Sequence, residues 1–252
     1  MFNFENRVVL ITGAGSEKGI GRATALAFAE QGADLAIADL NYEGACETCE
    51  VLKAKGAKAL PYRVDVTSPE ACQDMVDHII EDFGKIDVLV NNAGISQKVT
   101  VEDMTLDDVK RIFNVNFYGM FNVTKACAAE MKKAGYGRIV NLSSVSAKRG
   151  GGVFGGAHYS AAKASDLGFA KNFSREYAMY GITNNSVCPG LINTDIWKSL
   201  PDEQAQKVID LIPMGRPGEI AEVAATIVFL ASEEASYITG EEIDINGGMH
   251  MD

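Results

Sequence analysis

Seven short runs of apolar, largely β-branched residues punctuate this chain, and the segments between them carry helical spacing. The runs are Arg7–Thr12, Asp34–Asp39, Ala59–Val64, Val88–Asn91, Arg138–Ser143, Thr183–Cys188 and Glu242–Ile245. Helical patterns fill the gaps, among them Gly19–Gln31, Ala71–Phe83 and Ser160–Tyr180. Continuous apolar strands separated by helices predict a parallel sheet covered on both faces. Right-handed crossovers then give a doubly wound α/β architecture. The 252 residues fit one domain, 1–252, with no internal repeat or low-complexity linker. The least regular stretch, 195–218, holds three prolines and the only tryptophan, and is expected to be a mobile segment covering a substrate.

Charge and cysteine usage narrow the function. A net charge of −11 argues against nucleic acid and anionic membranes as partners, because both attract basic patches. No stretch approaches the roughly 20 apolar residues of a membrane span, and Met1–Arg7 carries no cationic run leading into an apolar core. The five cysteines are scattered, which reads as reduced thiols in a cytoplasm. Cys46 and Cys49 form a CxxC, which suits a redox pair, half a zinc site, or two small residues on an amphipathic helix. No second CxxC accompanies it, and histidines stand only at 78, 158 and 250, so no metal is expected.

After the first strand comes Thr12-Gly-Ala-Gly-Ser-Glu-Lys-Gly-Ile-Gly21. A strand, a glycine turn and a helix N-terminus together form an anion site, where backbone N–H groups and the helix dipole favour a pyrophosphate. This is the context of a Rossmann-type dinucleotide fold. Asp39 ends the second strand, 18 residues past Gly21. A carboxylate there accepts both hydroxyls of an adenosine ribose and repels a 2′-phosphate, so NAD is expected over NADP. Lys18 works the other way, since a cation beside the loop suits a 2′-phosphate; Asp39 carries more weight. Glu17 is expected to point to solvent, and Ser16 to be able to donate to a phosphate.

Tyr159 and Lys163 stand four apart on one helical face. A phenol ordinarily titrates near about 10, and a neighbouring cation favours its phenolate, which suits proton transfer to and from an alcohol. With Asn91-Asn-Ala-Gly94, Asn116-Phe-Tyr-Gly119, Asn141-Leu-Ser-Ser144, Pro189-Gly190 with Thr194, and Thr239-Gly240 with Asn246-Gly-Gly248, the motifs fall in one order along the whole chain. In this the sequence resembles the short-chain dehydrogenases/reductases.

The resemblance implies an NAD-dependent oxidoreductase interconverting a secondary alcohol and its ketone. It implies Tyr159 as general acid/base, with Lys163 favouring the phenolate and binding the nicotinamide ribose. Ser144 would hydrogen-bond the substrate oxygen, with Ser143 its structural twin, and Asn116 would hold a relay water. For cofactor contacts it implies Gly13, Gly15, Ser16, Gly19, Ile20 and Gly21 at the loop. Asp39, Leu40, Asp65 and Val66 would surround the adenosine, and Asn92, Ala93 and Gly94 would line the groove. Pro189, Gly190, Ile192 and Thr194 would seat the nicotinamide end. It also implies a homotetramer, with the Asn116 and Tyr159 helices at the dimer faces.

Two departures stand out. Gly13 and Gly19 are separated by five residues, two more than the family pattern, and Ser144 and Tyr159 lie 15 apart, again two more than usual. The second surplus falls in Gly150–Gly156, beside the substrate. Family geometry puts Ser96, Gln97 and Ser146 near the substrate as polar contacts, with Phe154 and Trp197 as an apolar wall. Lys148 and Arg149 would either bind an anionic group or be solvated. The leading expectation is a small polar alcohol: a polyol, a sugar or a hydroxy acid. The alternatives are an NADPH-dependent 3-oxoacyl-[acyl-carrier-protein] reductase, which an acidic chain suits poorly, and a non-catalytic dinucleotide sensor.

Overall fold

In the computed structural model, which describes residues 2–151, 154–194 and 202–252, each apolar run is a strand. They are β1 (Val8–Thr12), β2 (Asp34–Asp39), β3 (Ala59–Arg63), β4 (Val88–Asn91), β5 (Gly137–Leu142), β6 (Ile182–Pro189) and β7 (Glu242–Ile245). All pair in parallel in the order β3-β2-β1-β4-β5-β6-β7. The helices are α1 (Ile20–Ala29), α2 (Tyr42–Ala54), α3 (Pro69–Phe83), α4 (Leu106–Phe113), α5 (Gly119–Ala134), α6 (Ser146–Arg149), α7 (Ala157–Tyr177), α8 (Asp202–Ile209) and α9 (Ile220–Ala231). The order reverses between β1 and β4, and the carboxyl ends of the strands open a crevice at that switch point.

Alternation along the strands divides the core in two. Val9, Ile11, Leu35, Ile37 and Val90 pack against α1, α2 and α9. Leu10, Ala36, Leu89 and Ile139 pack on the opposite face against α3, α5 and α7. Each burial of a large aliphatic side chain contributes about 1.5–3 kcal/mol, which is what holds helices to both faces. The second face also buries a row of amides. Asn91 Nδ2 donates to Thr124 Oγ1 (2.8 Å) and Asn141 Oδ1 (2.9 Å), and Asn141 Nδ2 donates to Asn184 Oδ1 (2.7 Å).

Capping separates the helix starts. Asn41, Ser68 and Thr105 each accept a first-turn N–H of α2, α3 and α4. At α1 the cap residue is Gly19, with no side-chain bond. Cys46 and Cys49 lie on α2 as free thiols, and burial pushes the Cys49 thiol up to about 12. No described helix is long and apolar enough to cross a membrane.

Candidate active site

The cleft has two connected parts. A cavity of about 490 Å³ lies over β1 and β2, lined by Gly13, Ser16, Lys18, Gly19, Ile20, Asp39, Leu40, Asp65, Val66, Asn92, Ala93 and Gly94. The uncapped start of α1 opens onto it, so donors that the neighbouring helices satisfy with side chains are left for an anion. That fits the diphosphate of a nicotinamide dinucleotide. Glu17 lines neither part of the cleft, whereas Ser16 and Lys18 line this one.

The dinucleotide side is bonded to itself. Asp39 Oδ2 accepts from Gly15 N at 2.7 Å and Oδ1 from Asn41 N at 2.9 Å. Each oxygen keeps a lone pair for a ribose hydroxyl. Asn92 Nδ2 donates to Thr12 O (2.8 Å) and Gly13 O (2.7 Å), and Thr12 Oγ1 accepts from the N–H groups of Asn92 and Ala93. Gly15 and Gly21, expected as cofactor contacts, line neither part of the cleft. They are packing glycines: a Cβ on Gly21 would lie 2.6 Å from Asn92 Nδ2, and one on Gly15 2.9 Å from Asp39 Oδ2. The lengthened loop is thus drawn back onto Asp39.

The second cavity, about 550 Å³, shares Ile20, Asn92, Gly94, Ile95 and Thr194 with the first. Asn116, Ser144, Tyr159 and Lys163 all line it, as do Pro189, Gly190 and Ile192. Asn116 sits in a single π-helical turn, Asn114–Tyr118, between α4 and α5. Its amide is engaged with backbone: Nδ2 donates to Ile95 O and Ile112 O, each at 2.9 Å, and Oδ1 accepts from Ile95 N at 3.3 Å. Asn116 therefore fixes the segment after Gly94. Ser143 Oγ donates to Lys163 O (2.9 Å), the structural task expected of it. Ser144 Oγ accepts from Ser146 N at 3.1 Å, which leaves its own O–H to donate. The Tyr159 hydroxyl has no hydrogen-bond partner among the described residues. Lys163 Nζ donates to Leu142 O at 2.6 Å.

The expected substrate contacts divide. Ser96 and Phe154 line the second cavity. Ser146 lines it too, but its hydroxyl donates to Gly151 O at 2.8 Å. Gln97 does not line it. Its Nε2 donates to Asp108 Oδ1 (2.7 Å), and its Oε1 meets His158 Nε2 (3.0 Å). Bonds from Thr105 and Gln97 hold the Asp108 carboxyl down at about 2, while burial lowers His158. Gln97 therefore ties the start of α7, and with it Tyr159, to α4. Lys148 is likewise removed from the candidates for anion binding. Its ammonium lies 2.5, 3.3 and 3.5 Å from Asp252, Asp244 and Glu242, and the side chain is 7% exposed. Burial by itself would lower that ammonium, but the bonds to Asp252 and Asp244 outweigh it and hold it raised.

Arg149 and Lys98 line the cavity and are exposed, with no ion pair among the described residues. The cavity has no Asp or Glu among its described lining. Lys98 escaped sequence reasoning, although it stands two residues past Ser96, with Gln97 between them turned away. Trp197 lies outside the described residues, as does the rest of 195–201. The ends of the 191–218 excursion are pinned, Gly218 N to Leu191 O (2.9 Å) and Asn193 N to Gly218 O (2.8 Å). Val208 and Leu211 from its later part wall the cavity.

The chain matches known proteins over nearly its full length. Residues 13–250 match a family model described as Enoyl-(Acyl carrier protein) reductase. An acetoacetyl-CoA reductase from Shinella zoogloeoides is 42% identical over 244 residues, covering 96% of this chain and 98% of that protein. A crystal structure of 3-oxoacyl-[acyl-carrier protein] reductase from Brucella melitensis superposes with a TM-score of 0.93 at 38% identity, covering 99% of this chain and 93% of that one. A crystal structure of NAD+-bound xylitol dehydrogenase gives 0.92 at 34% identity, covering 97% and 99%.

Proposed function

The chain belongs to the short-chain dehydrogenase/reductase family of oxidoreductases, and on that premise we propose that it reduces the keto group of a 3-oxoacyl thioester to a secondary alcohol, with NADH preferred. The observation that carries this is the makeup of the substrate cavity. It joins the Ser144–Tyr159 pair to an apolar wall (Leu191, Val208, Leu211, Met249) and to Lys98 and Arg149. The wall suits an acyl chain, and the cations suit the phosphates of its carrier. The relatives described as acetoacetyl-CoA and 3-oxoacyl reductases support the same substrate class. They reverse the order expected from sequence, which put polar alcohols first.

When bound, the nicotinamide supplies the hydride that reaches the carbonyl carbon. Ser144 donates to the carbonyl oxygen, held in place by the Ser146 N–H. Tyr159 gives its proton to that oxygen as negative charge develops there, a contribution of about 10²–10⁴ in rate. Lys163, anchored on Leu142 O, holds the ribose and supports the phenolate left behind. Asp39 holds the adenosine ribose and disfavours a 2′-phosphate.

A second reading is oxidation of a small polar alcohol with NAD. Asp39 and the likeness to NAD+-bound xylitol dehydrogenase favour it. Comparing kcat/KM for acetoacetyl-CoA, xylitol and 3-hydroxybutyrate, each with both cofactors, separates the two. Acetoacetyl-CoA with NADH is expected to be the best pair, and Arg149→Ala to raise its KM severalfold while sparing an uncharged ketone. An enzyme inert to acetoacetyl-CoA but active on xylitol establishes the second reading, and no turnover in any arm supports the sensor.

A further inference from the structure

On α7, Tyr159, Lys163 and Asp166 stand at i, i+4 and i+7, one stripe of the helix. Asp166 is 1% exposed. A buried carboxylate is costly unless its oxygens are satisfied. Elsewhere this protein satisfies them with backbone donors. Asp87 accepts from Val8 N and also pairs with Arg7 and Lys85, and Asp39 accepts from two backbone N–H groups. Asp166 does neither. Its Oδ2 lies 3.4 Å from Lys163 Nζ, and its Oδ1 is buried with no hydrogen-bond partner among the described residues. As an anchor for the fold it is poorly built; its one polar contact is with Lys163.

An ammonium has three donors. That of Lys163 gives one to Leu142 O, and a second faces Asp166. Both partners are fixed, one on β5 and one on its own helix a turn away. The tetrahedral geometry then leaves the third N–H for the cleft, which Lys163 lines. A lysine with a single anchor would keep freedom about its last torsions and would have to be ordered each time the cofactor enters. We propose that Asp166 is a positioning residue for Lys163: together with Leu142 O it fixes the ammonium, so that the remaining donor is presented to the nicotinamide ribose. This rests on the reading of Lys163 as the residue that holds the cofactor. Burial raises the Asp166 carboxyl to about 6, and the Lys163 ammonium facing its Oδ2 pulls against that. Charged hydrogen bonds are the kind strong enough to set a side chain's direction.

The test is a double-mutant cycle on the purified full chain. The variants are Lys163→Ala, Asp166→Asn, Asp166→Leu and Lys163→Ala/Asp166→Asn. The readouts are NADH affinity, by fluorescence titration, and steady-state reduction of acetoacetyl-CoA. Asp166→Leu is expected to weaken NADH binding by about tenfold, with kcat falling and the KM for the ketone within twofold of wild type. Asp166→Asn, which keeps the shape and one oxygen, is expected to fall between. Added to Lys163→Ala, Asp166→Asn is expected to change nothing further. Wild-type NADH affinity in Asp166→Asn and Asp166→Leu overturns the proposal, as does a full additional loss in the double variant. If Asp166→Leu does not fold, Asp166→Asn and the cycle decide alone. Wild-type affinity and turnover in Lys163→Ala overturns the reading of Lys163 itself, a failure visible before Asp166 is touched.

Discussion

The two sides of the cleft rise from the same edge of one sheet and are bonded in opposite ways. On the dinucleotide side, loop, strand ends and helix starts are tied together by Asp39, Asn92 and Thr12, and two glycines pack too closely for any side chain. On the substrate side, among the described residues, the Tyr159 hydroxyl has no hydrogen-bond partner and Lys98 and Arg149 have no ion pair, while Gly150 and Gly151 have open space where a side chain would stand. A site for an invariant ligand can be preformed, because its shape never changes. A site whose ligand is the variable must keep its polar groups uncommitted until the ligand arrives.

The largest expected break between the sides is Tyr159→Phe. It should lower turnover by about 10²–10⁴ while leaving the NADH dissociation constant near wild type; stopped-flow turnover and fluorescence titration measure the two. Next come paired glycine substitutions. Gly21→Ala forces a Cβ to 2.8 Å from Gly13 O, and overpacking of this kind costs about 1–3 kcal/mol, read as a lower Tm and lost NADH affinity. Gly151→Ala meets nothing within 4 Å but sits at φ +62°, so it should cost only about 1–2 kcal/mol of backbone strain and spare NADH. Equal loss of NADH affinity in both would erase the contrast. Asp39→Ala should bring the kcat/KM ratio of NADH to NADPH down by about tenfold, as one charged hydrogen-bonding group is lost.

The last effect concerns pH. The Asp166 carboxyl is raised by burial to about 6 from an unfolded value of 3.8. Its contribution to stability is therefore complete below that unfolded value and is lost as pH rises through about 6. Against Asp166→Asn, which does not titrate, wild type should lose Tm between pH 4 and 6 and hold a constant difference above. The offset from leaving Lys163 without its partner cancels in that slope.

Most of the fold was legible because strands buried on both faces announce themselves. β2, β4 and β7 begin and end where their apolar runs do; β1 and β3 differ by one residue at one end, and β5 and β6 by one residue at both. Tyr159 and Lys163 stood out by their spacing on α7, and Asn116 and Ser144 by the family resemblance; the structure brings all four to one cavity. Three things were not legible. Gln97 and Lys148 have the right side chains for a substrate contact, but partners distant in sequence, Asp108 and Asp252, claim them. Nothing local records such a claim. The packing of Gly15 and Gly21 depends on neighbours from β2 and the end of β4. Asp166 was hidden because a carboxylate three residues after a lysine is an ordinary surface pairing, and only burial makes it unusual.

The row Asn91, Asn141 and Asn184 bears on how the sheet assembles. Strands such as VVLIT or GRIVNL are apolar almost throughout, so a neighbour displaced by two residues would still meet apolar surface and carry little penalty. Amides tolerate that displacement poorly: Asn91 moved opposite Ile139 would be buried with its bonds unmade, at about 1–3 kcal/mol. The three side chains thus work as a key cut across β4, β5 and β6. They reject misaligned pairings while the chain is still sorting them, and they place the ends of those strands, with Ser144 and Asn92 just beyond, at one common height.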